Sequence, residues 1–156
     1  MPFLIDGHNL LWAIHKTSGK PVTDIQLCHT IGRYLKLINE TGVLVFDGTG
    51  PPDKALFGNI AALEVLFSGL RKEADDIIED KIKANTAPKR LTVVSSDRRV
   101  RKAANARKAI SIISENFWVN VEKELSRKKT IKEPREKRHG LSESETDQWL
   151  RFFDVD

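Results

Sequence analysis

Phe3-Leu4-Ile5-Asp6-Gly7 is a short apolar run closed by an acid and a glycine, and the phrase returns at Val43-Leu44-Val45-Phe46-Asp47-Gly48. Short runs without polar alternation mark strands buried on both faces, as in a parallel sheet. Residues 63–67, ended by Ser68-Gly69, and 91–94, ended by Ser95-Ser96-Asp97, read the same way, and 110–113 makes a fifth strand. Between them the spacing turns helical. Leu10, Leu11 and Ile14 have helical spacing. Ile25, Cys28, Ile31, Leu35 and Ile38 form the apolar face of a helix predicted over 24–39, capped by Thr23 or Asp24 and ended by Gly42. Further helices are predicted over 73–84, 98–108 and from Ser114 to about Lys128. Strand and helix in alternation predict an α/β fold, with a mainly parallel sheet covered by helices on both faces.

The chain has 156 residues, 40% hydrophobic and 31% charged, which suits one globular domain with a real core. No apolar run approaches the roughly 18 residues needed to span a membrane. The N-terminus reaches Asp6 without a basic region, so no signal peptide is expected and the cytoplasm is the expected location. Cys28 is the single cysteine, which excludes an internal disulfide and a thiolate zinc cluster; on an apolar helix face it is expected to be buried and inert. The expected division is a domain over 1–126, a basic linker over 127–140 and a helical tail over 141–156. In the tail, Ser142 with Glu145 resembles a capping box, and Trp149, Phe152 and Phe153 share one helical face that docks on the chain's own core or on a partner.

Net charge is +4 and the isoelectric point about 9.2. Six basic residues and no acid lie between Arg98 and Lys108, and eight Lys and Arg against three Glu between Lys123 and His139. The acids gather in 73–80 and after Ser142. Basic stretches around an acidic centre suit a nucleic acid held by its phosphates and attacked at one of them.

In an open parallel sheet, ligands bind beyond the carboxyl ends of the strands. Asp6, Asp47 and Asp97 each follow a strand, and Glu73, Asp75 and Asp76 open the helix after the third. Carboxylates that converge repel one another unless a cation neutralises them, and hard oxygen ligands suit Mg²⁺ or Mn²⁺. Such an ion orients water and stabilises charge on a scissile phosphate. Helix geometry places Ala74, Ile77, Ile78 and Ile82 on one stripe, with Asp75 at its edge, while Asp76 and Asp80 point to solvent. Taken singly, Asp6-Gly7 and Asp47-Gly48 also read as turns, and Asp97 as a helix cap.

Leu4-Ile5-Asp6-Gly7-His8-Asn9-Leu10-Leu11 resembles the opening motif of NYN domains. Phe46-Asp47-Gly48, Glu73-Ala74-Asp75-Asp76-Ile77-Ile78 and Val93-Val94-Ser95-Ser96-Asp97-Arg98 resemble the blocks that follow, over roughly residues 3–125, and the nearest branch is the YacP-like one. The resemblance implies a PIN-like three-layer α/β/α fold and a Mg²⁺- or Mn²⁺-dependent endoribonuclease. Asp6, Asp75 and Asp97 match the core metal-binding and catalytic acids, and Asp47 a usual member of the acidic cluster. Asn9 and Ser96 match polar residues that orient water or a phosphate oxygen. Arg98, Arg99, Arg101 and Lys102 are candidates for flanking phosphates of RNA, single-stranded or messenger, with presentation on a ribosome compatible with the sequence; a solvated helix face is the other reading of them.

Other residues read more plainly. His8 lines the cleft at a helix start or takes part in chemistry. His15, His29 and His139 have no ligand spacing. Trp12 is expected in the core, with stacking on an unpaired base as the alternative. Rival functions are an RNA-binding module with a weak or inactive metal site, a HAD-like phosphatase and a small-nucleotide binder. The second lacks its general acid, because position 8 is His rather than Asp. The third lacks a G-x-G-x-x-G turn after the first strand.

Overall fold

The apolar runs form strands β1 (Phe3–Asp6), β2 (Gly42–Phe46), β3 (Leu63–Phe67), β4 (Thr92–Val94) and β5 (Ile110–Ile112). The computed structural model of the chain describes residues 2–138, with side chains through Arg127. All strand pairs are parallel, in the order β3-β2-β1-β4-β5. The chain winds outward from β1 to β3 and then crosses back to β4 on the other flank. This reversal between β1 and β4 opens a crevice at their carboxyl ends.

Side chains alternate between the two faces of the sheet. Leu4, Val45 and Val93 share one face with the helices α3 (Ala74–Ala84) and α4 (Arg98–Ala106), whose Ala74, Ile78, Ile82, Val100 and Ala104 complete a buried cluster. Asp6 is two residues beyond Leu4, so its carboxylate points to the α3 side. Helices α1 (Gly7–Ser18), α2 (Asp24–Leu37) and the start of α5 (Ser114–Arg138) serve the opposite face. There Phe3 lies 6.5 Å from Tyr34 and 5.8 Å from Phe117, between ring centroids. Each fully buried Leu or Ile contributes about 1.5–3 kcal/mol, so both faces are needed to hold a sheet of such short strands.

Gly7 shows how tightly α1 sits. A Cβ there would lie 2.5 Å from the Phe46 ring and 2.7 Å from Leu44. The glycine after Asp6 is therefore demanded by close packing of a helix start, not by a turn. Gly48 is different, because it has φ 85°, which L side chains rarely adopt.

Three expectations are corrected. Helix α2, closed at its start by a Thr23–Gln26 capping box, ends at Leu37 and turns through Asn39 at φ 59°. Gly42 instead opens β2, where a Cβ would stand 2.9 Å from Leu35. Trp12 is 58% exposed rather than in the core, because Ala13 and Ile14 carry the buried face of α1. Helix α5 continues past Lys128 to Arg138, into the stretch expected as linker.

The chain divides into two compact units, 1–118 and 119–156. The first holds the sheet and α1 to α4. In the second, the described residues continue α5, with Glu124 Oε1 3.5 Å from Arg127 Nη1. Ser142, Glu145, Trp149, Phe152 and Phe153 lie outside the described residues. Among the described residues no helix is long and apolar enough to cross a membrane.

Candidate active site

Four strand ends and the start of α3 meet at the crevice. Asp6 caps α1, and the residue is 5% exposed. It accepts two long hydrogen bonds, from Asn9 N at 3.4 Å and from Ser95 Oγ at 3.3 Å. Burial first, and then the neighbouring Asp75 and Asp47, push its pKa up to about 7. Asp75 is half-buried on the second residue of α3 and comes within side-chain hydrogen-bonding reach of Asp6, a pairing that needs a shared proton. Burial and the charge of Asp97 also raise its pKa.

Asp97 caps α4, accepting from Arg99 N at 2.9 Å and Val100 N at 3.3 Å. The capping reading and the acidic-site reading of this residue are thus compatible: one oxygen, Oδ1, serves the helix. Asp47 is half-exposed. Its Oδ1 accepts from Ala74 N at 2.6 Å, and its Oδ2 stands 3.6 Å from His8 Nδ1. His8 lines the cleft, with its ring 5.0 Å from Phe46 and its Nδ1 accepting from Asp47 N at 3.3 Å.

A second layer of polar groups locks the crevice. Asn9 Oδ1 accepts from Ser96 N at 2.8 Å and from Ser114 Oγ at 2.6 Å, tying α1 to the ends of β4 and β5. Ser96 Oγ accepts from Ser114 N at 3.0 Å and donates a short hydrogen bond to Glu115. That bond is the main reason the Glu115 carboxyl sits below its usual range. Sequence reasoning missed Glu115. The signal was present, since an acid follows the fifth strand as one follows the first, second and fourth. It was hidden because the same residue also reads as an ordinary first-turn acid of a helix.

The basic helix divides in two. Arg99 is engaged: Nε reaches Glu79 at 2.8 Å and Nη2 reaches Asp76 at 2.5 Å, stitching α4 to α3. Asp76 also takes Glu73 N at 3.0 Å, so it is a helix-end residue with an ion-pair partner, rather than a bare solvated charge. Arg98, Arg101 and Lys102 are exposed, and a groove lined by Asp97, Arg98 and Lys102 runs along α4. Elsewhere, His15 and His29 are exposed, and burial pushes the Cys28 thiol up to about 12, leaving it inert.

The fit to a divalent cation is a matter of donor chemistry. Asp6 is a buried carboxylate with two long hydrogen bonds and two acids beside it, while the Arg99 charge acts on the neighbouring Asp75. Oxygen-only donors suit Mg²⁺ or Mn²⁺. Among the described residues no three His, Cys, Asp or Glu side chains form a ready-made chelating group.

A parallel five-stranded sheet in this order, with helices on both faces, is a PIN-like fold. The chain belongs to the YacP-like NYN domain family, which matches it over residues 3–153. It is similar to the solved structure of Rae1 (YacP) from Bacillus subtilis, at 21% identity over 99% of this chain and 92% of that chain, with a TM-score of 0.70. A mutant of the same B. subtilis protein is similar at 17% identity over 97% and 91% of the two chains, with a TM-score of 0.65. At these identities the likeness is one of fold. None of the curated proteins matches the chain.

Proposed function

We propose that this protein is a Mg²⁺- or Mn²⁺-dependent endoribonuclease that hydrolyses RNA phosphodiester bonds at the crevice between β1 and β4. The observation that carries the reading is the Asp6 carboxyl, buried beside Asp75 and pushed up by that burial and by the charges of Asp75 and Asp47. Membership of a nuclease family supports it, and the exposed cations of α4 suit a polyanionic substrate.

Asp6, Asp75 and Asp97 would hold the cation, which supplies Lewis acidity and lowers the pKa of water beside the scissile phosphate. The rest is done by the chain's own groups. Asp47 fixes the first turn of α3, and so the position of Asp75. Ser95 orients Asp6. Asn9 has its oxygen committed to Ser96 and Ser114, so its amide NH₂ is the end left to meet a phosphate oxygen or a water. Ser96 acts with Glu115, whose negative charge faces the same crevice. Arg98, Arg101 and Lys102 contact flanking phosphates, while Arg99 holds the helix that presents them.

The test is incubation with single-stranded and structured RNA in Mn²⁺, in Mg²⁺ and in EDTA. The expected result is cleavage with either metal, none in EDTA and none with Asp75→Asn. Equal cleavage in EDTA, or by Asp75→Asn, overturns the proposal. Tight RNA binding without cleavage in either metal would mark an RNA-binding module instead.

A further inference from the structure

Trp12 is the only exposed Phe, Tyr or Trp ring among the described residues, with 58% of its surface in water. It lies on α1, the helix that Asp6 caps. It follows Asn9 by three residues, which places both on one helix face. Asn9 in turn is bonded to Ser96 and Ser114 at the crevice. Lys16, one turn beyond Trp12, holds its ammonium 4.9 Å from the ring centroid. It is also close enough to Glu115 to act on that carboxylate. Ring and cation therefore border the polar lock of the site. From Asp6 to Trp12 the helix rises about 9 Å, a step of roughly one or two nucleotides.

From this juxtaposition we infer that Trp12 and Lys16 form a stacking platform for one unpaired base of a single-stranded RNA whose neighbouring phosphate lies at the acids. One face of the indole is braced by the ammonium, and the ring remains widely exposed for a base. The ammonium also offers a contact for the phosphate of the stacked nucleotide. A base has a π face whatever its identity, so the platform selects single strand over duplex and does not select sequence. The inference rests on the proposed ribonuclease reading and adds a substrate class to it. Lys16 and Trp12 are binding residues here and take no part in bond cleavage.

The experiment measures binding of a labelled single-stranded oligoribonucleotide to the full chain in EDTA, alongside cleavage in Mn²⁺. Trp12→Ala should weaken binding roughly tenfold, and Trp12→Phe should recover most of it, whereas Trp12→Leu should not. In cleavage, Trp12→Ala should raise KM with kcat little changed. An oligonucleotide with one abasic position at the stacked site should bind the native chain as weakly as intact RNA binds Trp12→Ala, with no further loss in that variant. The melting temperature should not change. Unchanged binding in Trp12→Ala, or equal recovery by Leu, overturns the platform. A clear fall in melting temperature also overturns it, because the ring would then be a packing residue of the fold. Absence of cleavage by the native chain would instead sink the ribonuclease reading, and the binding series in EDTA would still judge Trp12.

Discussion

Asp47 Oδ1 accepts a 2.6 Å hydrogen bond from the backbone amide of Ala74. The acid at the end of β2 thereby caps a helix that begins far along the chain, and that helix carries Asp75 on its next residue. Asp47→Ala should cost about 1 kcal/mol of stability, the usual value of a lost helix cap. Its larger effect should be on activity, because the first turn of α3 loses its anchor. Asp47→Asn keeps an acceptor oxygen and should retain more of the cleavage rate than Asp47→Ala. Comparison of urea melts and kcat for the pair checks this. Equal inactivation by both, at the level of Asp75→Asn, would make Asp47 a direct ligand rather than a positioning residue.

Asp6 makes stability depend on pH in an unusual direction. Its pKa rises from 3.8 to about 7 on folding. Between those values the native chain keeps a proton that the unfolded chain has released, so its contribution to stability falls as pH rises through the window. In EDTA this part of the stability should be full below about pH 4 and lost by about pH 7. Asp6→Asn should remove the slope and raise stability at neutral pH, by on the order of 1–4 kcal/mol, while abolishing cleavage. Mn²⁺ should raise the melting temperature of the native chain more at pH 7.5 than at pH 5. A native melting temperature in EDTA that climbs steadily from pH 4.5 to 7.5, with no difference from Asp6→Asn, would refute the assignment.

Asp97 has two duties that one substitution separates. Asn is as good a helix cap as Asp, so Asp97→Asn should keep stability within about 0.5 kcal/mol while losing the charge. Cleavage should be abolished. Metal-dependent cleavage near the native rate in a well-folded Asp97→Asn would remove this residue from the site.

The cations of α4 should behave as two sets. Joint replacement of Arg98, Arg101 and Lys102 by Ala should reduce the salt dependence of single-stranded RNA binding by about 2 in log–log slope, at about 0.7 per phosphate contact. Arg99→Ala should leave the slope nearly unchanged and lower the melting temperature, because its guanidinium is taken up by Glu79 and Asp76. A salt slope that changes as much for Arg99 as for the other three would show that its ion pairs open to bind RNA.

Much of this molecule is legible in its residues taken in order. Apolar runs of fixed length, the switch to helical spacing and an acid after a strand are local signals, and they placed all five strands and the acids Asp6, Asp47, Asp75 and Asp97. The Thr23–Gln26 capping box is equally local. Cys28 on an apolar stripe is buried because helical periodicity alone decides which face meets the core.

What the tertiary structure alone decided are the partners across the chain. Strand order depends on pairings between residues as distant as Phe3 and Thr92, which no local pattern carries. Arg98 and Arg99 are the same residue type side by side, yet only Arg99 meets acids of α3. Trp12 reads as a core residue by its apolar ring, and the packed volume under α1 is already filled by Ala13 and Ile14. Asp47 and Asp97 look alike at strand ends. One caps a helix across the crevice and the other caps its own, and that difference arises only when the sheet brings Ala74 to Asp47. Sequence thus determined which groups arrive at the carboxyl edge, because strand length and turn chemistry are local. The fold determined which oxygen of each acid remains for a ligand, because that depends on the amide donors that packing delivers.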